Sequence, residues 1–138
     1  MEITVSHAQG QAPVTILHTH GPVDASNYAG LVAKAQELYK AGTRDLLLDL
    51  SDTNHISSSG IVALHLISMV MRGESLPDSE SSGWESARAI DRDLDKGMQK
   101  HFKLFNTSPN IDRVLSMVGF KQFLEVHTDL DAAVASFA

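Results

Sequence analysis

Apolar residues recur along this chain in two alternating rhythms. Ile3 and Val5 alternate with polar neighbours, Gly10 to Pro13 interrupts, and Val14 to Leu17 forms a second apolar run, so two short strands are predicted. After Gly21-Pro22-Val23, the residues Tyr28, Leu31, Val32, Ala35, Leu38 and Tyr39 recur at helical spacing, with Asp24 placed to cap the helix and Gly42 to end it. Leu46, Leu47, Leu48 and Leu50 are dense enough for a central strand covered on both faces, with Asp49 and Asp52 near its C-terminal end. Asn54-His55-Ile56 reads as a loop, and Ser57-Ser58-Ser59-Gly60 leads into a second helix over Ile61–Met71. Apolar residues lie on nearly every side of that helix. Its outer side therefore needs a cover, either the segment that follows or a second copy of the chain.

The pattern breaks after Arg72-Gly73. Residues 74–100 carry an excess of Asp and Glu and a Ser-rich stretch, Ser79 to Gly83, which predicts an acidic insertion within one domain spanning 1–138. Trp84, Ala87, Ile90, Leu94 and Met98 could line one stripe of a helix there; the alternative is a mobile acidic loop. The rhythm resumes with a strand at Phe102–Phe105 and a helix capped by Ser108, begun by Pro109 and closed by Gly119, whose buried face is Ile111, Val114, Leu115 and Val118. A last strand is predicted over Phe123–Val126, then a helix capped by Thr128 or Asp129 that carries Leu130, Ala133, Val134 and Phe137. Strands alternating with helices after an initial hairpin imply an α/β domain with helices mainly on one face of its sheet.

A chain of 138 residues can bury a continuous core without disulfides, and it has no cysteine to form them. The same absence excludes a thiolate nucleophile and cysteine-based metal sites. A net charge of -6 without a local basic patch argues against nucleic acid and anionic lipid and for a protein partner. The amino terminus MEITVSHAQGQ has neither a basic stretch nor an apolar signal core, and His65 and Ser68 interrupt the longest apolar run. A cytoplasmic protein without a membrane span is the expectation.

The order of elements and three local signatures resemble the STAS domain family of bacterial anti-sigma factor antagonists. Gly21-Pro22-Val23-Asp24 is similar to the family's Gly-x-Leu-Asp before its first helix. Leu46 to Ser51 followed by His55-Ile56-Ser57-Ser58-Ser59-Gly60-Ile61 resembles its strand, loop and Asp-Ser-Ser-Gly helix start. Leu104-Phe105-Asn106 with Ser108, then Val114-Leu115 and Gly119-Phe120, resembles the third. Together they cover nearly all of the chain except 74–100. The resemblance implies a mixed sheet of four to five strands with about four helices, mainly on one face, and a regulatory protein-binding module rather than an enzyme. It also implies phosphorylation at Ser58 by a partner, an anti-sigma factor or serine kinase of the histidine-kinase-like ATPase type, with Asp24, Ser57, Ser59 and Gly60 completing the docking surface. Ser57 stands where the family has Asp, a departure that favours the alternative of a non-phosphorylated scaffold or transport-accessory subunit; a homodimer is compatible with either.

On residue chemistry alone, the serines at 57–59 equally suit simple helix capping. A helix start offers N–H donors and a positive dipole to a phosphate, so both readings of Ser58 stand. Ser58-Ser59-Gly60 lacks the Gly-x-Ser-x-Gly elbow, and no His and acid pair stands out to activate it. His18 and His20 project from one strand face, but two ligands without a third predict solvent-facing or core histidines and no metal site. Phosphate-binding and dinucleotide-binding glycine loops are absent, so no cofactor is expected. Asp24, Asp49 and Asp52 either converge near Ser58 or cap helices and face water.

Overall fold

A computed structural model describes residues 2–74 and 98–137. β1 (Glu2–Gln9) and β2 (Pro13–His20) form the expected hairpin, both longer than the apolar alternation alone marks. β2 then pairs in parallel with β3 (Leu46–Asp52), β3 with β4 (Phe102–Phe105), and β4 with β5 (Val126–His127). The described residues thus form one mixed five-stranded sheet in the order β1-β2-β3-β4-β5. Among the described residues four α-helices accompany it: α1 (Tyr28–Lys40), α2 (Ser58–Met71), α3 (Pro109–Met117) and α4 (Leu130–Ala135).

Strand alternation divides the core in two. Leu17, Leu46, Leu48, Leu50, Phe102 and Leu104 face the larger cluster, where α1 and α2 pack side by side and α3 contributes Ile111 and Leu115. Val14, Ile16 and Leu47 face the other way, toward Ala133, Val134 and Phe137 of the C-terminal segment. Lys103 fastens that segment to β4: its Nζ donates to Ser136 O at 3.1 Å and Ser136 Oγ at 3.0 Å, and pairs with Glu125 Oε2 at 3.0 Å.

Several ends follow their residue chemistry. α1 closes in a Schellman motif, with Gly42 at φ 113° donating to Tyr39 O and the Thr43 amide to Leu38 O. Ser108 accepts from the Ile111 amide at 3.2 Å and Pro109 opens α3; Asp129, rather than Thr128, caps α4. Two expectations are corrected. Asp24 is not the cap of α1: the helix begins after Asn27, because Asp24 and its neighbours close a separate turn first. The last strand is not Phe123–Val126, because the 3₁₀ turn Phe120–Gln122 folds Phe123 and Leu124 into the core and leaves only Val126–His127 for pairing.

Of the segment expected as an insertion, 75–97 lies outside the described residues, and with it Trp84, Ala87, Ile90 and Leu94. Met98 is exposed, but Gln99 is 2% exposed and built into the domain. Its amide group donates to Ser68 O at 2.9 Å and Ser68 Oγ at 3.0 Å, and its backbone N–H bonds Phe123 O. Val62, Leu66 and Met69 on α2 are half-buried.

Candidate functional site

The start of α2 is assembled by two loops lying side by side. Thr19 Oγ1 and Thr53 Oγ1 meet at 2.6 Å, both buried, and Thr53 Oγ1 donates to Gly21 O at 2.8 Å, so the loop after β2 is tied to the loop after β3. Val23 then bridges Ile56 in parallel, its N–H donating to His55 O and its carbonyl accepting from Ser57 N at 2.9 Å. This zipper places Asp24 and Ser57 each one residue beyond the bridge. Gly60 completes the contact: a Cβ there would meet Ile56 Cγ1 at 2.4 Å and Val23 O at 3.0 Å, so only glycine lets the first turn of α2 approach the bridge this closely.

The serines divide the work. Ser57, extended at φ -86° and ψ 177°, is the cap and accepts from the Gly60 amide at 3.3 Å. Ser58 is the first helical residue and is exposed; Ser59 is half-buried. Asp24 accepts from Ser26 Oγ at 2.5 Å and from Ser26 N at 2.9 Å, and these hydrogen bonds hold its carboxyl below the usual carboxylate range. Asp24, Ser57, Ser58 and Ser59 are therefore brought together, whereas Gly60, expected on the same surface, is buried against Val23 and Ile56.

Alongside, at the C-terminal ends of β3 and β4, lies an open polar cleft of about 530 Å³ bordered by Ser51, Asp52, Asn54, Asn106 and Thr107. Ser108 Oγ spans it to Asn54 O at 3.4 Å.

Residues 6–72 match the family model described as the STAS domain, which runs from the second half of β1 through α2 and includes all of the serine run. No functionally curated protein sequence matches the chain. Among solved structures, it is similar to a proposed anti-sigma factor antagonist from Thermotoga maritima, with a TM-score of 0.71 at 15% identity, covering 98% of this chain and 93% of that one. An anti-sigma factor antagonist from Mycobacterium paratuberculosis gives 0.63 at 16% identity over 99% and 94%. The Bacillus cell fate determinant SpoIIAA in its phosphorylated form gives 0.51 at 13% identity over 95% and 96%.

Asp49 and Asp52 do not join Ser58. Both face histidines of β2: His18 Nδ1 lies 2.6 Å from Asp49 Oδ2, and His20 Nδ1 lies 2.8 Å from Asp52 Oδ2. His18 and His20 are thus neither lone surface groups nor core residues, and among the described residues no set of three ligating groups could hold a metal. The second pairing escaped the sequence because β2 and β3 shift register between His18 and His20. The extra residue in β3 turns Asp52 to the face of Asp49, which strict alternation would deny it. Among the described residues no helix is long and apolar enough to cross a membrane.

Proposed function

We propose that this chain is a cytoplasmic anti-sigma factor antagonist, docking through the start of α2 on an anti-sigma factor with serine kinase activity and released by phosphate on Ser58. The observation that carries this reading is the division of labour among the serines: Ser57 caps α2, so the exposed Ser58 hydroxyl can be modified without removing the cap. The solved structures similar to this fold include an anti-sigma factor antagonist and the phosphorylated form of the cell fate determinant SpoIIAA. A phosphate at the first helical position meets backbone N–H donors and a favourable dipole, so the fold tolerates it. At a docked surface the same near-dianion must be desolvated, beside the Asp24 carboxylate, which costs about 2–5 kcal/mol of binding.

The test is calorimetric titration of parent, Ser58→Ala and Ser58→Glu proteins against the partner recovered by pull-down, with phosphosites mapped by mass spectrometry. Ser58→Ala should bind like the unmodified parent, and Ser58→Glu should bind weakly yet melt normally. Equal affinity for all three would remove the switch. Ser57 in place of the family's Asp would then be decisive, and a non-phosphorylated STAS scaffold or transport-accessory subunit would be the reading.

A further inference from the structure

The sheet face opposite α1, α2 and α3 is only partly apolar. The C-terminal segment packs near Ala8, Val14, Ile16, Leu47 and Phe105, and the far ends of β2 and β3 on that face carry polar groups. Two lines of side chains cross three strands there. In one, Ser6 Oγ lies 2.7 Å from His18 Nε2, and His18 Nδ1 lies 2.6 Å from Asp49 Oδ2. In the other, Thr4 Oγ1 lies 3.0 Å from His20 Nε2, and His20 Nδ1 lies 2.8 Å from Asp52 Oδ2.

The first line has a defined polarity. Burial pushes the Asp49 carboxyl up, but hydrogen bonds from the Ser51 hydroxyl, the Ser51 amide and His18 outweigh it and hold the group below the usual carboxylate range. A carboxylate only accepts, so Nδ1 of His18 carries the proton. In the neutral ring Nε2 is then an acceptor, and the Ser6 hydroxyl donates to it. The Asp49 side chain is 15% exposed and that of His18 27%, so acid and base are shielded while the serine sits on the outer strand. The second line is looser, with Asp52 73% exposed and a more hindered threonine hydroxyl at its end.

We propose that Ser6 is an acyl-accepting nucleophile, with His18 as its general base and Asp49 orienting the ring, and that it takes small activated carboxylic esters. Ser6 Oγ attacks the carbonyl carbon while its proton passes to His18 Nε2. The ester C–O bond then breaks, and the departing oxygen takes that proton from Nε2; Asp49 stays ionised beside the imidazolium throughout. Water attacking by the same route releases the carboxylic acid and restores Ser6. The sheet face is open, so the ester must be small and reactive rather than held in a deep pocket. This site is separate from Ser58, and its chemistry does not depend on the switch.

The probe is p-nitrophenyl acetate incubated with the full chain, read by p-nitrophenolate release and by peptide mapping of the acetyl group. Acetylation should concentrate on Ser6, vanish in Ser6→Ala, fall about 100-fold or more in His18→Gln, and persist in Thr4→Val. Acetyl groups scattered over lysines with Ser6 unmodified would overturn the proposal, as would Ser6 labelling that survives His18→Gln. Should His18→Gln fail to fold by circular dichroism, Ser6→Ala decides alone, because it removes one hydroxyl: release undiminished in that variant overturns the proposal, and its loss upholds it.

Discussion

Ser57 accepts a hydrogen bond from the Gly60 amide, whereas Ser58, one residue on, is exposed at the first helical position. Their substitutions should therefore separate. Ser57→Ala is expected to cost about 0.5–2 kcal/mol in a urea melt, the range for a lost cap. Ser58→Ala should stay within about 0.5 kcal/mol of the parent, as for an exposed surface change. Asp49 sets a pH dependence of known sign. Its folded carboxyl titrates below the ordinary value of 3.8, so it contributes stability that is fully present above that value and is lost as pH falls through the lower folded pKa. Asp49→Asn should unfold at lower urea than the parent at neutral pH, and the gap should shrink toward about pH 2. A gap independent of pH would mean that the carboxylate contributes by packing alone.

At the scale of elements, two helical glycines answer to different neighbours. A Cβ at Gly30, in α1, would meet nothing within 4 Å, whereas one at Gly60, in α2, would collide with Ile56 and Val23 O. Gly30→Ala should raise stability by about 0.5–1 kcal/mol through reduced unfolded-state freedom. Gly60→Ala should lower it by about 1–3 kcal/mol, because the first turn of α2 must move off the Val23–Ile56 bridge. Matched chemical melts of the two variants read this directly, and equal shifts would show that α2 approaches the bridge less tightly. The helices themselves were legible in the sequence, since Leu31, Val32 and Ala35 in α1 and Ile111 and Leu115 in α3 are buried at the spacing that marked them. The last strand was not. Phe123 and Leu124 are apolar because they fill the core beneath a 3₁₀ turn, and a short apolar run looks the same whether it lies in a strand or a buried turn.

For the whole molecule, the β3–β4 pairing and the contact of α2 with β4 connect residues on both sides of 75–97. We propose that it is an insertion on a complete domain. Replacing 75–97 by a short Gly/Ser bridge is expected to leave a cooperatively melting protein with parent-like circular dichroism, and a chain unfolded after this deletion would place those residues in the core. Gln99 should be kept in any such variant, since its side chain holds the carbonyl and hydroxyl of Ser68.

The sequence by itself determined the kind and order of the elements, the hairpin that opens the sheet, the cap at Ser108, and the serine run at the start of α2; between Thr128 and Asp129 as the last cap it left both open. These are readable because periodicity and end chemistry act over a few neighbouring residues. Only the tertiary structure decided which serine caps and which is presented, because that depends on how the Val23–Ile56 bridge sets the first turn. It alone paired His18 with Asp49 and His20 with Asp52, and lined Ser6 up behind them. Those partners stand on different strands, and a single bulge in β3 moves a side chain from one face of the sheet to the other.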